Sequence, residues 1–99
     1  MHDYQAVIRV RHQGRNLAEC ADELDAVTGE LVDYGATAQM WDGVTEWTMT
    51  VRVPSLWDVA ATAGRAVRAA YHKAGWTVSV VRADAWQVAE WENAKGLSE

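Results

Sequence analysis

Residues of opposite character alternate from Tyr4 to Arg11, with Tyr4, Ala6, Ile8 and Val10 in one phase and Gln5, Val7, Arg9 and Arg11 in the other. A period of two carrying β-branched residues predicts a strand. A polar loop from His12 to Arg15 follows, with Gly14 inside it. Asn16, with Glu19 three residues on, reads as a capping box. From there Leu17, Cys20, Ala21, Leu24, Val27 and Thr28 recur at helical spacing while Glu19, Asp22, Glu23 and Asp25 face elsewhere. This predicts a helix over 17–28 ending at Gly29, although Leu31 would extend its apolar stripe.

Asp42-Gly43 stands between two alternating runs, and Asp-Gly is the strongest two-residue hairpin signal. Closing the turn there pairs Trp41 with Val44. Met40, Ala38, Ala36, Tyr34 and Val32 then lie opposite Thr45, Trp47, Met49, Val51 and Val53, all facing a core. The other face receives Gln39, Thr37 and Gly35 opposite Glu46, Thr48 and Thr50, with Arg52 beyond. A slip of one residue would turn every side chain to the wrong side.

Pro54 ends the second strand of the hairpin. Ser55 is placed to cap a helix, with Asp58 near its positive end. The stripe Leu56, Val59, Ala60, Ala63, Val67, Ala70, Tyr71 and Ala74 predicts a helix over 56–74, closed by Gly75. Residues 76–82 read as a fourth strand with Trp76, Val78 and Val80 on one face. Asp84, with Gln87 three residues on, predicts a short tail helix closing near Gly96, before a frayed end at 95–99. The order β-α-β-β-α-β, plus a C-terminal helix, is that of the ferredoxin-like sandwich: an α+β fold with a four-stranded antiparallel sheet and two helices on one face. Strands one and three belong in its centre. Residues 1–83 form the domain and 84–99 its helix and tail.

The chain is 99 residues long, enough for one domain with one core. Its composition, 49% hydrophobic and 23% charged, is that of a globular protein. No apolar run approaches the roughly 18 residues of a membrane helix, and no secretory signal opens the chain, so a soluble cytoplasmic protein is expected. Cys20 is the only cysteine, which excludes an internal disulfide and a cysteine zinc cage. It sits beside Glu19, Asp22 and Glu23, whose charge disfavours a thiolate, and reads as a small core hydrophobe. His2, His12 and His72 lack metal-ligand spacing, and there is no H-E-x-x-H, P-loop or G-x-G-x-x-G. No metal, cofactor or catalytic residue is predicted, although Tyr34, Tyr71 and His72 could line a cleft.

Function then falls to the surfaces. The face of the sheet without helices carries Val7, Arg9, Arg11, Arg52, Val81 and several threonines around one glutamate, Glu46. It is locally positive on a chain of net charge −5. One reading is a solvated sheet with arginine stems lying over apolar surface. The other is a docking face, with Val7 and Val81 as its apolar centre. RNA binding is disfavoured, because no aromatic stands where central strands would stack bases and the net charge is wrong. Trp47 and Trp76 are predicted in the core and Trp41 at the hairpin corner, while Trp57 could staple the loop before the second helix. Trp86 and Trp91 are five apart and cannot share a narrow helical stripe, so one of them is available to a partner. Glu19, Asp22, Glu23 and Asp25 on the first helix could pair with Arg65, Arg68 and His72 on the second.

The runs Gln5-Ala-Val-Ile-Arg-Val, Thr48-Met-Thr-Val-Arg-Val-Pro54 and Gly75-Trp-Thr-Val-Ser-Val-Val-Arg82, with the acidic tail after them, resemble the N-terminal ferredoxin-like domain of small actinobacterial helix-turn-helix regulators. An Ala, Val, Arg and Gly bias, with seven Arg against two Lys, fits a GC-rich actinobacterial or phage source. That family continues into a DNA-binding unit, of which the sequence through Glu99 contains nothing. The resemblance therefore implies the sensing, pairing or partner-binding half. The expectation is a non-enzymatic protein–protein interaction module, a homodimer or the partner of an acidic protein, with Val7, Arg9, Arg11, Trp41, Arg52, Trp86 and Trp91 at the contact. A small-molecule-sensing regulatory domain and a dimeric barrel-type enzyme acting on small organics are the alternatives.

Overall fold

A computed structural model describes residues 2–12, 21–41 and 43–88. Its strands are β1 (His2–His12), β2 (Thr37–Trp41), β3 (Val44–Val53) and β4 (Val78–Gln87), and its helices are α1 (Ala21–Glu30) and α2 (Val59–Lys73). The sheet is antiparallel in the order β2-β3-β1-β4, with both helices on one face, and so has ferredoxin-like topology. The predicted central pair, β1 and β3, is where it was expected.

The hairpin register is the predicted one: Trp41 pairs with Val44, Gln39 with Glu46 and Thr37 with Thr48. Gly43 takes the positive φ of 74° that a tight hairpin turn requires; Asp42 lies outside the described residues. Trp47, Met49 and Val51 are buried while Thr50 is exposed. The core fills the space under α1 and α2 with Tyr4, Ala6, Ile8 and Val10 of β1, Leu24 and Val27 of α1, and Val59, Ala63, Val67 and Tyr71 of α2.

Four local expectations need correction. The first helix does not stop at Gly29; it runs to Glu30, and Leu31 is buried, its N–H reaching the carbonyls of Val27 and Thr28. The apolar stripe Leu24, Val27, Leu31 outweighs the weak helix propensity of one glycine. Its predicted start, from Asn16 through Cys20, lies outside the described residues. The second strand is also shorter than the pattern allows. Residues 32–34 form a 3₁₀ turn closed by Gly35 at φ 63°, so β2 begins only at Thr37. All five of its residues are exposed, including Ala38 and Met40, because neither α1 nor α2 reaches over this edge of the sheet.

The second helix begins at Val59, since Leu56–Asp58 form a 3₁₀ turn. Ser55 does not cap it: its hydroxyl donates to the Asp58 carboxylate at 2.9 Å. Leu56 and Ala60 are exposed, and Trp57, 89% exposed, staples nothing. The other end is as predicted. Gly75 at φ 82° donates to the His72 carbonyl and Trp76 to that of Tyr71, a Schellman cap, with the Tyr71 and Trp76 rings 5.4 Å apart.

Finally, residues 84–87 are strand and not the start of a tail helix. A bulge opposite Arg9 and Val10 makes Val81 an extra residue, and pairing then resumes from Arg82 opposite Arg9 to Gln87 opposite Tyr4. β1 runs to its N-terminal end with exposed ladder groups to satisfy, and this tertiary demand overrides the local Asp84–Gln87 capping pattern. The remainder of the predicted tail helix, with Trp91, lies outside the described residues.

Candidate functional site

Two of the places where described residues bring chemistry-bearing side chains together lie on or beneath the sheet. The first is the face of the sheet opposite α1 and α2, free of helices among the described residues. Register puts Asp3, Gln5, Val7, Arg9 and Arg11 of β1 there, beside Val44, Glu46, Thr48, Thr50 and Arg52 of β3. Thr37, Gln39 and Trp41 flank them on β2, and Arg82, Asp84 and Trp86 on β4. Arg9 is the centre of the arrangement. Its Nη2 lies 2.8 Å from Glu46 Oε2, Nε also donates to that oxygen, and the guanidinium carbon stands 5.2 Å from the Trp41 ring centre. A guanidinium held by a carboxylate on one side and an indole on the other is orientationally fixed.

The charge of this face differs from the expectation. Arg82 Nε lies 2.7 Å from Asp84 Oδ2, and Arg52 Nε 3.9 Å from Asp3 Oδ1. Three of its four arginines thus have carboxylate neighbours, and the face is close to neutral. The sequence reading missed Asp84 because it assigned that residue to a helix. Val7 is buried among its face neighbours, whereas Val81, the extra residue of the bulge, is 47% exposed and forms no apolar centre with it. Trp86, half-buried, pairs with Gln5, and Trp41 with Val44. Strand spacing and rise put these two tryptophans about 25 Å apart, at opposite corners of the sheet. Of the predicted contact residues, Arg9 and Trp41 come together; Arg11, in the same row as Val44 and Trp41, lies on the same face, as do Arg52 and Trp86.

The second place is a polar chain through the core that the sequence reading did not find. Trp47 Nε1–H donates to the Tyr71 hydroxyl at 2.9 Å, that hydroxyl is hydrogen-bonded to Thr45, and the Thr45 hydroxyl to His12 Nε2. His12, assigned to a loop, is the last residue of β1 and is buried, its ring 4.5 Å from that of Trp76 and 5.4 Å from that of Tyr71. The signal was present, since His12 continues the core phase of Tyr4, Ala6, Ile8 and Val10. Burial lowers the His12 pKa to about 4. Desolvation likewise raises that of Tyr71, opposed by its hydrogen bonds with Trp47 and Thr45. A neutral imidazole and an un-ionised phenol are acid–base groups, but neither lines the open cleft between α2 and the start of β4. Their evident work is to hold the two layers in register.

Among the described residues no three His, Cys, Asp or Glu side chains gather as a metal site would require, and no helix is long and apolar enough to cross a membrane. The fold and its surfaces define a small α+β domain without an evident catalytic constellation among its described residues. Compared with known proteins, the chain matches no family and no curated protein.

Proposed function

We propose that this protein is a non-catalytic interaction module that pairs with a second copy of itself through the helix-free sheet face. The observation that carries the reading is the balanced, pre-oriented charge of that face, with Arg9 held between Glu46 and Trp41. A twofold interface sets one patch against itself and so needs both signs on that patch. Arg9 with Glu46, Arg82 with Asp84 and Arg52 with Asp3 meet this condition, whereas a partner of strongly acidic surface would meet these three carboxylates beside the four arginines of the face. Four strands of this length offer a projected area on the order of 600 Å², near the ~800 Å² per partner of a standard interface. Trp41 supplies an aromatic anchor that is already 40% exposed. The likeness of the strand sequences to a regulatory domain supports an accessory or regulatory role in an actinobacterium or its phage.

Sedimentation equilibrium tests the reading. The expected result is a concentration-dependent dimer that Thr48→Glu, which sets like charges against each other at the centre of the face, converts to monomer, and that Trp41→Ala weakens at least tenfold. A monomer at all concentrations up to about 1 mM, where even weak specific pairing is populated, would overturn it.

A further inference from the structure

On the outer side of α2, Arg65, Arg68 and His72 occupy positions i, i+3 and i+7 and so share one helical face. The expected pairing of this face with the acids of α1 is not what the described residues show. The cross-helix ion pair there is Lys73 with Glu30, at 2.9 Å, and neither Arg65 nor Arg68 has a carboxylate partner among the described residues. These two arginines overhang an open cleft between α2 and the start of β4, of about 420 Å³. The Schellman turn at Gly75 builds its floor by folding Trp76, Thr77 and Val78 back beneath the last two turns of the helix. A second hollow of about 310 Å³, reaching Gly64 and Val80, shares both arginines.

None of the described residues lining either hollow is acidic, on a chain with fourteen Asp and Glu against nine Lys and Arg. Like charges at i and i+3 repel each other, so Arg65 and Arg68 are a local cost to the helix unless an anion lies between them. The negative end of the helix dipole is nearby, but its terminal carbonyls are already engaged by the Gly75 and Trp76 amides. Guanidinium forks match the paired oxygens of phosphates and carboxylates. The volume exceeds what a bare ion needs and lies within the ~300–1,000 Å³ of small-molecule sites.

We propose that the cleft between α2 and the start of β4 binds a small organic oxyanion, its phosphate or carboxylate held by Arg65 and Arg68 and its organic body resting against Trp76 and Val78. The site is independent of the sheet face and stands whether or not the protein dimerises.

The test is a titration of the protein with phenyl phosphate, benzoate, inorganic phosphate and neutral phenol, followed by calorimetry and by amide and Arg Nε chemical shifts. Expected are saturable binding of phenyl phosphate or benzoate with Kd about 1 mM or below, shifts centred on Arg65, Arg68 and Thr77, and weaker binding of inorganic phosphate and phenol. Tighter binding of phenyl phosphate assigns the ligand to the phosphate esters, and tighter binding of benzoate assigns it to the carboxylates. Arg65→Gln and Arg68→Gln are exposed changes that keep the fold, each weakening binding tenfold or more, while Lys73→Gln, on the same helix but outside the cleft, leaves it unchanged. The proposal is overturned if no organic anion saturates, if inorganic phosphate binds as well as phenyl phosphate and benzoate, or if Lys73→Gln weakens binding as much as the arginine variants.

Discussion

Single residues carry two separable kinds of stabilisation here: hydrogen bonds inside the core and backbone geometry at its edges. Removing the indole donor in Trp47→Phe leaves the buried Tyr71 hydroxyl short of a partner, so a loss of about 1–3 kcal/mol is expected in urea unfolding. Gly75→Ala meets no steric neighbour, yet places a Cβ at φ 82°, and the expected cost is about 1 kcal/mol. His12 makes stability depend on pH. Its imidazole titrates near 6.5 in the unfolded chain and at about 4 in the fold, so between those values only the unfolded state takes up the proton. The folded state therefore has its full stability above pH 6.5 and loses up to about 3 kcal/mol as the pH falls towards 4. Denaturant midpoints across this window would show the slope, and His12→Leu should remove its contribution.

At the scale of elements, legibility followed how far each pattern was tied to a fixed local geometry. The register of the hairpin between Thr37 and Thr48 could be read to the residue because Asp42-Gly43 anchors two alternating runs whose apolar phases must coincide. The closure of α2 at Gly75 was equally legible, because a helix stop needs one residue that accepts a left-handed conformation. The tail of β4 was not. A bulge at Val81 shifts the phase, and beyond it Asp84 to Gln87 carry a helix-start pattern that only the length of β1 overrules. Carbon secondary shifts of strand sign over residues 83–87 are the expected result, and helical shifts there would contradict this pairing. The short β2 has a similar origin: Leu31 is drawn into the core, and the chain needs the 3₁₀ turn and Gly35 to pass from helix layer to sheet.

For the whole molecule, the fold separates two surfaces of different electrostatic character. On the sheet face three of four arginines have carboxylate neighbours, while the α2–β4 cleft concentrates arginines without a carboxylate partner among the described residues. Salt screens exposed, unpaired charge most strongly. Raising ionic strength from about 0.05 M to about 0.5 M should therefore weaken oxyanion binding several-fold while leaving the dimer constant within about twofold. Comparable salt sensitivity of the two would contradict this division of the surface.

Taken alone, the order of residues determined the element sequence, the hairpin register and the inward phase of the central strands, because each follows from a short-range period set against an apolar interior. It also marked Arg9, Trp41, Arg65 and Arg68 as outward residues. Which of those residues meet was decided only in three dimensions. Arg9 reaches Glu46 across 37 positions of chain, His12 reaches Thr45 across 33, and Trp76 returns beneath Arg68 through one glycine turn. Periodicity reports which side of an element a residue occupies, but long-range pairing decides what stands opposite it.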